Sequence, residues 1–221
     1  MALEQIHLRK LLKILFLSPS RQRSELRKDI REDRIKAAGG EASGGDFYAP
    51  FWADAKDHVF ANADLRTMVD RRVAANPRRR NLYPQLRDGF LLWWNQRRRW
   101  TNEPFQLGQP AKARFLFPDL NAMVKIDSIL SVRDGLGDER LVYPYFAPEP
   151  ALSEQGARLG LWLLTAALPM VPANAIRVLD VIRGRTFSLD RTPLVGNEEQ
   201  AFQELYSDLL RRRDELRDDE E

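Results

Sequence analysis

The chain has 221 residues, of which 43% are hydrophobic and 30% are charged, and its formal net charge is +3. That much apolar material excludes a chain that is disordered throughout. With no cysteine and only two histidines, the sequence excludes disulfides, thiolate metal sites and histidine-rich metal sites. It favours a reducing compartment, the cytoplasm. We expect no membrane span, because the most apolar stretch, residues 159–171, is too short to cross a bilayer.

The first 38 residues are predicted to form a helical arm. Apolar residues recur at helical spacing over residues 3–17. Ser18-Pro19-Ser20 ends this helix before a second, highly charged helix over residues 20–38. Residues 39–45 (GGEASGG) include four glycines and are predicted to be a flexible linker. The charges that interrupt the first apolar run argue against a signal peptide; they are Arg9, Lys10 and Lys13.

Residues 46–221 are predicted to form an α+β core domain that ends in an acidic helix. After Pro110 the pattern changes from helical spacing to strand alternation with β-branched residues. Pro144, near the end of the third predicted strand, indicates a bulge or an exposed edge there. The predicted helices cover residues 47–60, 63–75, 84–99, 153–168 and 198–217, and the predicted strands cover residues 111–117, 122–132, 140–146, 175–183 and 185–189.

The basic residues are mostly arginine, and they are unevenly distributed. Arginine makes up 28 of the 35 basic residues, and its planar guanidinium matches phosphate and stacks on aromatic rings. Residues 66–114 contain 12 basic and 3 acidic residues, a local charge of +9, whereas residues 198–221 carry a local charge of −6. This distribution indicates either a polyanionic ligand or a charged protein partner.

Two arginine triplets flank the predicted helix over residues 84–99. Aromatic residues lie near them in the sequence, and guanidinium groups beside aromatic rings are typical of phosphate contact and base stacking. A purely structural alternative exists for the second triplet, since it would complement the dipole at a helix C-terminus. The candidate nucleic-acid-binding residues are Arg78, Arg79 and Arg80, and Arg97, Arg98 and Arg99.

The order of predicted elements resembles the restriction-endonuclease-like PD-(D/E)xK nuclease superfamily over roughly residues 84–217. Asp127, in Val124-Lys125-Ile126-Asp127, is similar in position to the strand aspartate of that family. The resemblance implies a mixed four- to five-stranded sheet flanked by helices. It also implies a Mg²⁺ or Mn²⁺ ion held by two acidic residues, and a lysine that orients the attacking water.

The third predicted strand departs from that family pattern. Pro144 stands where the family has its second acid, and Phe146 stands where it has its lysine. This departure indicates a catalytically incomplete centre, for which no cofactor is expected.

Three carboxylates are the candidate catalytic residues if the centre has been relocated. Asp127 and Asp180 lie within apolar strand sequence and would be the metal ligands, and Glu149 lies in the loop after the third strand. Each has a structural alternative. Asp127 would face solvent, Asp180 would be buried beside Arg183 or Arg177 because an unpaired buried charge is costly, and Glu149 would be a surface residue. Neither His7 nor His58 has a second histidine at ligand spacing, and neither is predicted to be catalytic.

The sequence leaves three functions open. The first is a nuclease-related but catalytically incomplete nucleic-acid-binding or accessory subunit of a prokaryotic system, such as phage defence or DNA processing. The second is an active metal-dependent nuclease built on the three carboxylates. The third is a protein–protein adaptor or homodimer without nucleic acid, which would dock through the amphipathic segment of residues 3–17.

Overall fold

The computed structural model of the chain describes residues 3–40 and 46–219, and they form an α+β fold. No helix in these two ranges is long and apolar enough to cross a membrane. The helices are α1 (Leu8–Leu15), α2 (Pro19–Ala37), α3 (Ala49–Val59), α4 (Leu65–Ala75), α5 (Tyr83–Leu92), α6 (Glu154–Ala167) and α7 (Glu198–Asp218). The strands are β1 (Gln5–His7), β2 (Gln106–Leu107), β3 (Ala113–Phe117), β4 (Ala122–Ile126), β5 (Leu130–Arg133), β6 (Glu139–Tyr145), β7 (Ile176–Asp180) and β8 (Arg185–Phe187).

The strands form two mixed sheets. The larger has the order β2-β5-β6-β7-β8, in which only β6 and β7 are parallel neighbours. Helix α6 connects these two strands, as a parallel connection requires. The smaller sheet has the order β1-β4-β3. The predicted α+β class and a mixed sheet of five strands are therefore confirmed, whereas the second sheet was not predicted.

Helices cover both faces of the five-stranded sheet. Strand β6 alternates between the faces, because successive side chains of a strand point in opposite directions. Tyr143 and Tyr145 pack with residues of α1, α6 and α7 on one face. Val142 and, just past the strand, Phe146 pack with α3, α4 and α5 on the other. The central strands are therefore buried on both sides, which explains their nearly continuous apolar sequence.

The segment of residues 3–38 differs from the predicted arm. Residues 5–7 form β1, which pairs in parallel with β4, and Ile6 lies opposite Val124. The apolar residues of α1 are buried in the main core, and Leu11 is 0% exposed. The helical pattern was correct only from Leu8 onward, because pairing with β4 imposes strand structure on the preceding residues. The apolar face that was expected to dock a partner is thus occupied within the chain. Residues 41–45 of the predicted linker lie outside the described residues.

The strand predicted over residues 122–132 is broken in the middle. Its first part is β4 of the small sheet, and its second part is β5 of the large sheet. Ser128, between them, has a positive φ of 62°, a backbone conformation that disrupts an extended strand. The indole N–H of Trp52 donates to the carbonyl oxygen of Ser128 and holds this bend. β-Branched residues alone could not reveal that the chain changes sheets here.

Pro144 lies in the central strand β6, so the prediction of an exposed edge is wrong. It pairs with Leu179 of β7, but the pairing of β6 with β5 ends at Val142. Proline has no backbone N–H to donate. No residue of β5 pairs with Pro144, so no hydrogen bond of the sheet requires that missing N–H. The truncated pairing with β5 therefore accommodates a proline in a buried strand.

Candidate functional site

Six arginines line a groove between the segment that follows α5 and the hairpin of β7 and β8. The groove has a larger compartment of about 330 Å³ and a smaller one of about 60 Å³. Two carboxylates, Glu154 and Asp190, also line it, so positive charge predominates. We call it the arginine groove; its arginines are Arg97, Arg98, Arg99, Arg177, Arg185 and Arg191.

The first wall of the groove is formed where α5 widens at its C-terminal end. Residues Trp93–Arg97 form a turn of π-helix, and the backbone N–H of Arg98 donates to the carbonyl oxygen of Trp93 at 2.8 Å. Trp93 and Trp94 are buried in the core and anchor this turn. π-Helical turns often occur at functional sites. Here the turn brings all three arginines of the second sequence triplet to one side of the molecule.

The second wall is held in place by a close approach of two glycines. An added Cβ on Gly89, in α5, would lie 2.1 Å from the carbonyl oxygen of Ile182. Gly184 has a positive φ of 55°, and a Cβ there would lie 2.6 Å from the carbonyl oxygen of Gly89. Both positions therefore require glycine, which lets the β7–β8 turn contact the helix backbone. This contact sets the width of the groove.

Arg98 is fixed by aromatic packing but retains an unpartnered donor. Its guanidinium carbon lies 4.0 Å from the ring centre of Trp94 and 4.3 Å from that of Phe105. Its Nη2 donates to Glu103 at 3.2 Å, whereas its buried Nη1 has no hydrogen-bond partner among residues 3–40 and 46–219. Burial lowers the pKa of Arg98, with the Glu103 carboxylate opposing that shift. A buried guanidinium N–H without a partner destabilises the free protein and would gain from an anion.

The other arginines differ in how firmly they are held. Arg97 donates to the carbonyl oxygen of Arg183 at 2.9 Å, which ties the two walls together. Burial lowers the pKa of Arg177, and the nearby carboxylate of Asp190 opposes this. Arg99 and Arg191 are exposed. The groove thus combines cations held by contacts within the protein with cations exposed to solvent.

The first sequence triplet does not reach this groove. Arg78 and Arg79 lie in a short 3₁₀-helix, Pro77–Arg79, between α4 and α5, and Arg80 follows it. The guanidinium of Arg79 lies 5.2 Å from the ring centre of Tyr83. The structure therefore joins the second triplet with Arg177, Arg185 and Arg191, which the sequence analysis missed. The sequence feature that could have indicated these three arginines is the high density of arginine around Gly184.

Asp127 lies in a different place, beside two basic residues of the N-terminal segment. Its Oδ2 is 3.0 Å from Nδ1 of His7, and its Oδ1 accepts a hydrogen bond of 2.8 Å from Nη1 of Arg9. The backbone N–H of Arg9 donates to the hydroxyl of Tyr143 at 2.9 Å. Burial raises the pKa of Tyr143 to about 12, so it stays protonated at neutral pH.

The electrostatics around Asp127 favour its ionised form. Partial burial opposes ionisation, but the contacts with His7 and Arg9 outweigh it and hold the pKa of this carboxyl well below its usual range. Burial lowers the pKa of the neighbouring Lys56, and the charge of Asp127 counteracts this shift. Asp127 is therefore a fixed anion neutralised by cations of the same chain.

Asp180 and Glu149 lie in surroundings different from those of Asp127. Asp180 is buried and pairs with Arg183 at 3.2 Å, one of the two partners that the sequence indicated. Its Oδ2 also accepts a hydrogen bond of 3.2 Å from the backbone N–H of Leu152. Burial raises the pKa of Asp180, which Arg183 opposes. Glu149 is exposed in the loop after β6.

The residues at the family position do not fit a divalent cation. Asp127 contacts two basic groups, where a metal ion would require further oxygen ligands. Phe146, at the lysine position, stacks on Tyr48 with a ring-centre distance of 4.8 Å. Within residues 3–40 and 46–219, no group of three or more histidine and carboxylate side chains is arranged to hold a metal. We derive no catalytic step through a metal ion.

Comparison with known proteins identifies no relative. No family model matches the chain, no curated protein matches it, and no solved structure matches its fold.

Proposed function

We propose that this chain binds nucleic acid through the arginine groove, as a catalytically incomplete, nuclease-related accessory subunit in the cytoplasm. The observation that carries the proposal is the convergence of six arginines, from four separate segments of the chain, on one groove that contains two carboxylates. Like charges repel, and folding them together is unfavourable unless a polyanion or counterions neutralise them.

Phosphate is the anion that this groove suits best. Arginine presents a planar fork of N–H donors that pairs with two phosphate oxygens at once. Arg99 and Arg191 are exposed and supply contacts to a backbone.

Two observations support the nuclease-related part of the proposal. The secondary-structure elements follow one another in the family's order, and the positions of the family's second acid and lysine hold other residue types. Strands β5 and β6, helix α6 and strand β7 follow one another in the order on which the resemblance rests. Pro144 and Phe146 provide neither a carboxylate nor a lysine, and Asp127 is neutralised by Arg9 and also contacts His7. We extend the proposal to a prokaryotic defence or DNA-processing system by analogy with that family alone.

The experiment that tests the proposal is a salt titration of binding to single- and double-stranded DNA and RNA. Mn²⁺ is present, and the products are run on a gel. The proposal predicts binding that weakens steeply with salt and leaves the strands intact. Cleavage would overturn the incomplete centre, and no binding at low salt would overturn the nucleic-acid function.

A further inference from the structure

The smaller compartment of the arginine groove has features of an anion site. Five of the six groove arginines line it, and Asp190 is the one carboxylate at its wall. A hydrogen bond with Ser188 holds the pKa of Asp190 below its usual value, and the charges of Arg177 and Arg99 act in the same direction. The positive charge therefore exceeds what this carboxylate neutralises.

Two residues that line this compartment each have a buried polar atom without a hydrogen-bond partner among the described residues. The Nη1 of Arg98 and the Oγ1 of Thr186 are both buried, and neither makes a hydrogen bond. Unpaired buried polar groups are uncommon in folded proteins, and each destabilises the fold. An N–H donor and a hydroxyl beside several guanidinium groups are together the partners that a phosphate oxygen requires.

The size of the compartment limits what can enter it. Its volume is about 60 Å³, whereas one water molecule takes about 30 Å³ in the liquid. It therefore suits a single small anion better than a sugar or a base. The adjoining compartment of about 330 Å³ shares Arg97, Thr186 and Arg191 with it. That volume is in the range of small-ligand sites, about 300 to 1,000 Å³.

We propose that the smaller compartment binds the terminal phosphate of a nucleic-acid strand, with the attached nucleoside in the larger compartment. This inference rests on the proposed function and makes it specific. An internal phosphodiester carries a sugar on each side, and only one of the two sugars has a compartment to occupy. A terminal phosphate carries one sugar. It also bears a charge of about −1.5 to −2 at neutral pH, which suits the excess of arginine.

The test compares oligonucleotides of one sequence with a 5′-phosphate, a 3′-phosphate or hydroxyl groups at both ends. Binding is measured by fluorescence anisotropy at fixed salt, with the dye placed away from the tested end. One phosphorylated end should bind at least about tenfold more tightly than the hydroxyl form, as charge-assisted hydrogen bonds imply. Inorganic phosphate should compete and reduce that preference.

Two variants locate the effect in the smaller compartment. Thr186→Val removes a hydroxyl that makes no hydrogen bond, so it should fold normally and lose most of the end preference. Arg99→Gln should do the same, whereas Arg78→Gln, which also removes one exposed charge, should retain the preference.

The possible results distinguish a failure of the terminal-phosphate site from a failure of nucleic-acid binding. Equal binding of all three oligonucleotides would overturn the terminal-phosphate site and leave nucleic-acid binding in place. Binding of inorganic phosphate without any oligonucleotide binding would overturn both, because a free phosphate would then be the ligand. An end preference that Thr186→Val and Arg99→Gln leave unchanged would also overturn the assignment to this compartment.

Discussion

The imidazole Nδ1 of His7 lies 3.0 Å from a carboxylate oxygen of Asp127. This contact exists because β1 pairs in parallel with β4, which places His7 opposite Lys125, two residues before Asp127. Asp127, which was predicted from the sequence to be a candidate metal ligand, instead pairs with basic residues of the N-terminal segment. The contact joins that segment to the bend between the two sheets.

Asp127→Asn should lower the free energy of unfolding at pH 7 by about 1 kcal/mol, a small effect because the carboxylate is partly exposed and solvent screens it. Its native pKa is depressed, so its stabilisation is present above the unfolded pKa of about 3.9. It is lost as the pH falls from there through the native pKa. Denaturation at several pH values should show the difference between wild type and variant shrinking below about pH 4.

The control for that measurement is Asp70→Asn, which removes a carboxylate that is 75% exposed. Its effect on unfolding should be close to zero at every pH. If Asp127→Asn behaved in the same way, the pairing with His7 and Arg9 would contribute nothing to the fold.

Leu11→Ala should destabilise the protein by about 3 kcal/mol, the usual loss for a buried leucine. Leu11 is 0% exposed, whereas Ile35, also in the N-terminal segment, is 50% exposed. Ile35→Ala should therefore have an effect below about 0.5 kcal/mol. Chemical denaturation distinguishes the two variants. Equal, small effects would show that residues 3–38 form a separate arm, as the sequence suggested.

Arg213→Met should destabilise the fold by about 3 kcal/mol, since it removes one of the two cations, Arg213 and Lys10, that pair with the buried carboxylate of Asp29. Arg213 is 4% exposed and contacts Glu4 at 2.9 Å and Asp29 at 3.1 Å. Arg211, two residues earlier on α7, has an exposed side chain that pairs with Asp208 and Glu215 of its own helix. Arg211→Met is the matched control and should change the thermal midpoint little. A similar effect of both variants would contradict the buried network.

Gly89→Ala should destabilise the protein by about 3 kcal/mol, because the new Cβ would overlap the backbone at Ile182. Gly160 is a second helical glycine, and an added Cβ there meets only side chains, the nearest being Leu12 at 3.1 Å. Gly160→Ala should therefore be nearly neutral in the same denaturation experiment. Nucleic-acid binding should weaken in Gly89→Ala alone, since this glycine sets the width of the arginine groove. Loss of binding in both variants would argue against that role.

The sequence predicted correctly those features that depend on residues close together in the chain. A helix was predicted to begin at residue 153, and the hydroxyl of Ser153 accepts a hydrogen bond of 3.0 Å from the backbone N–H of Gly156 at the start of α6. The buried pairing of Asp180 with Arg183 followed from the penalty for an unpaired charge within an apolar run. Both involve residues three positions apart, so the chain itself holds the partners close.

Contacts between distant segments could not be predicted in this way. The strand character of residues 5–7 comes from pairing with β4, because a short apolar segment can be helix or strand. Arg177 and Arg191 join Arg97 only once the β7–β8 turn packs on α5. The second triplet was recognised as a phosphate-binding candidate, but its partners required the tertiary structure.

Nucleic-acid binding by the arginine groove can be tested by the salt dependence of binding in two double variants. Arg99→Gln with Arg191→Gln removes two exposed groove charges, and Arg78→Gln with Arg80→Gln removes two exposed charges outside it. The groove variant should bind more weakly, and its plot of log affinity against log salt should be shallower by about 1.5, since each phosphate contact contributes about 0.7 to 0.9. The control should keep the wild-type slope. The same slope for the groove variant and wild type, or a larger change in the control, would contradict the claim.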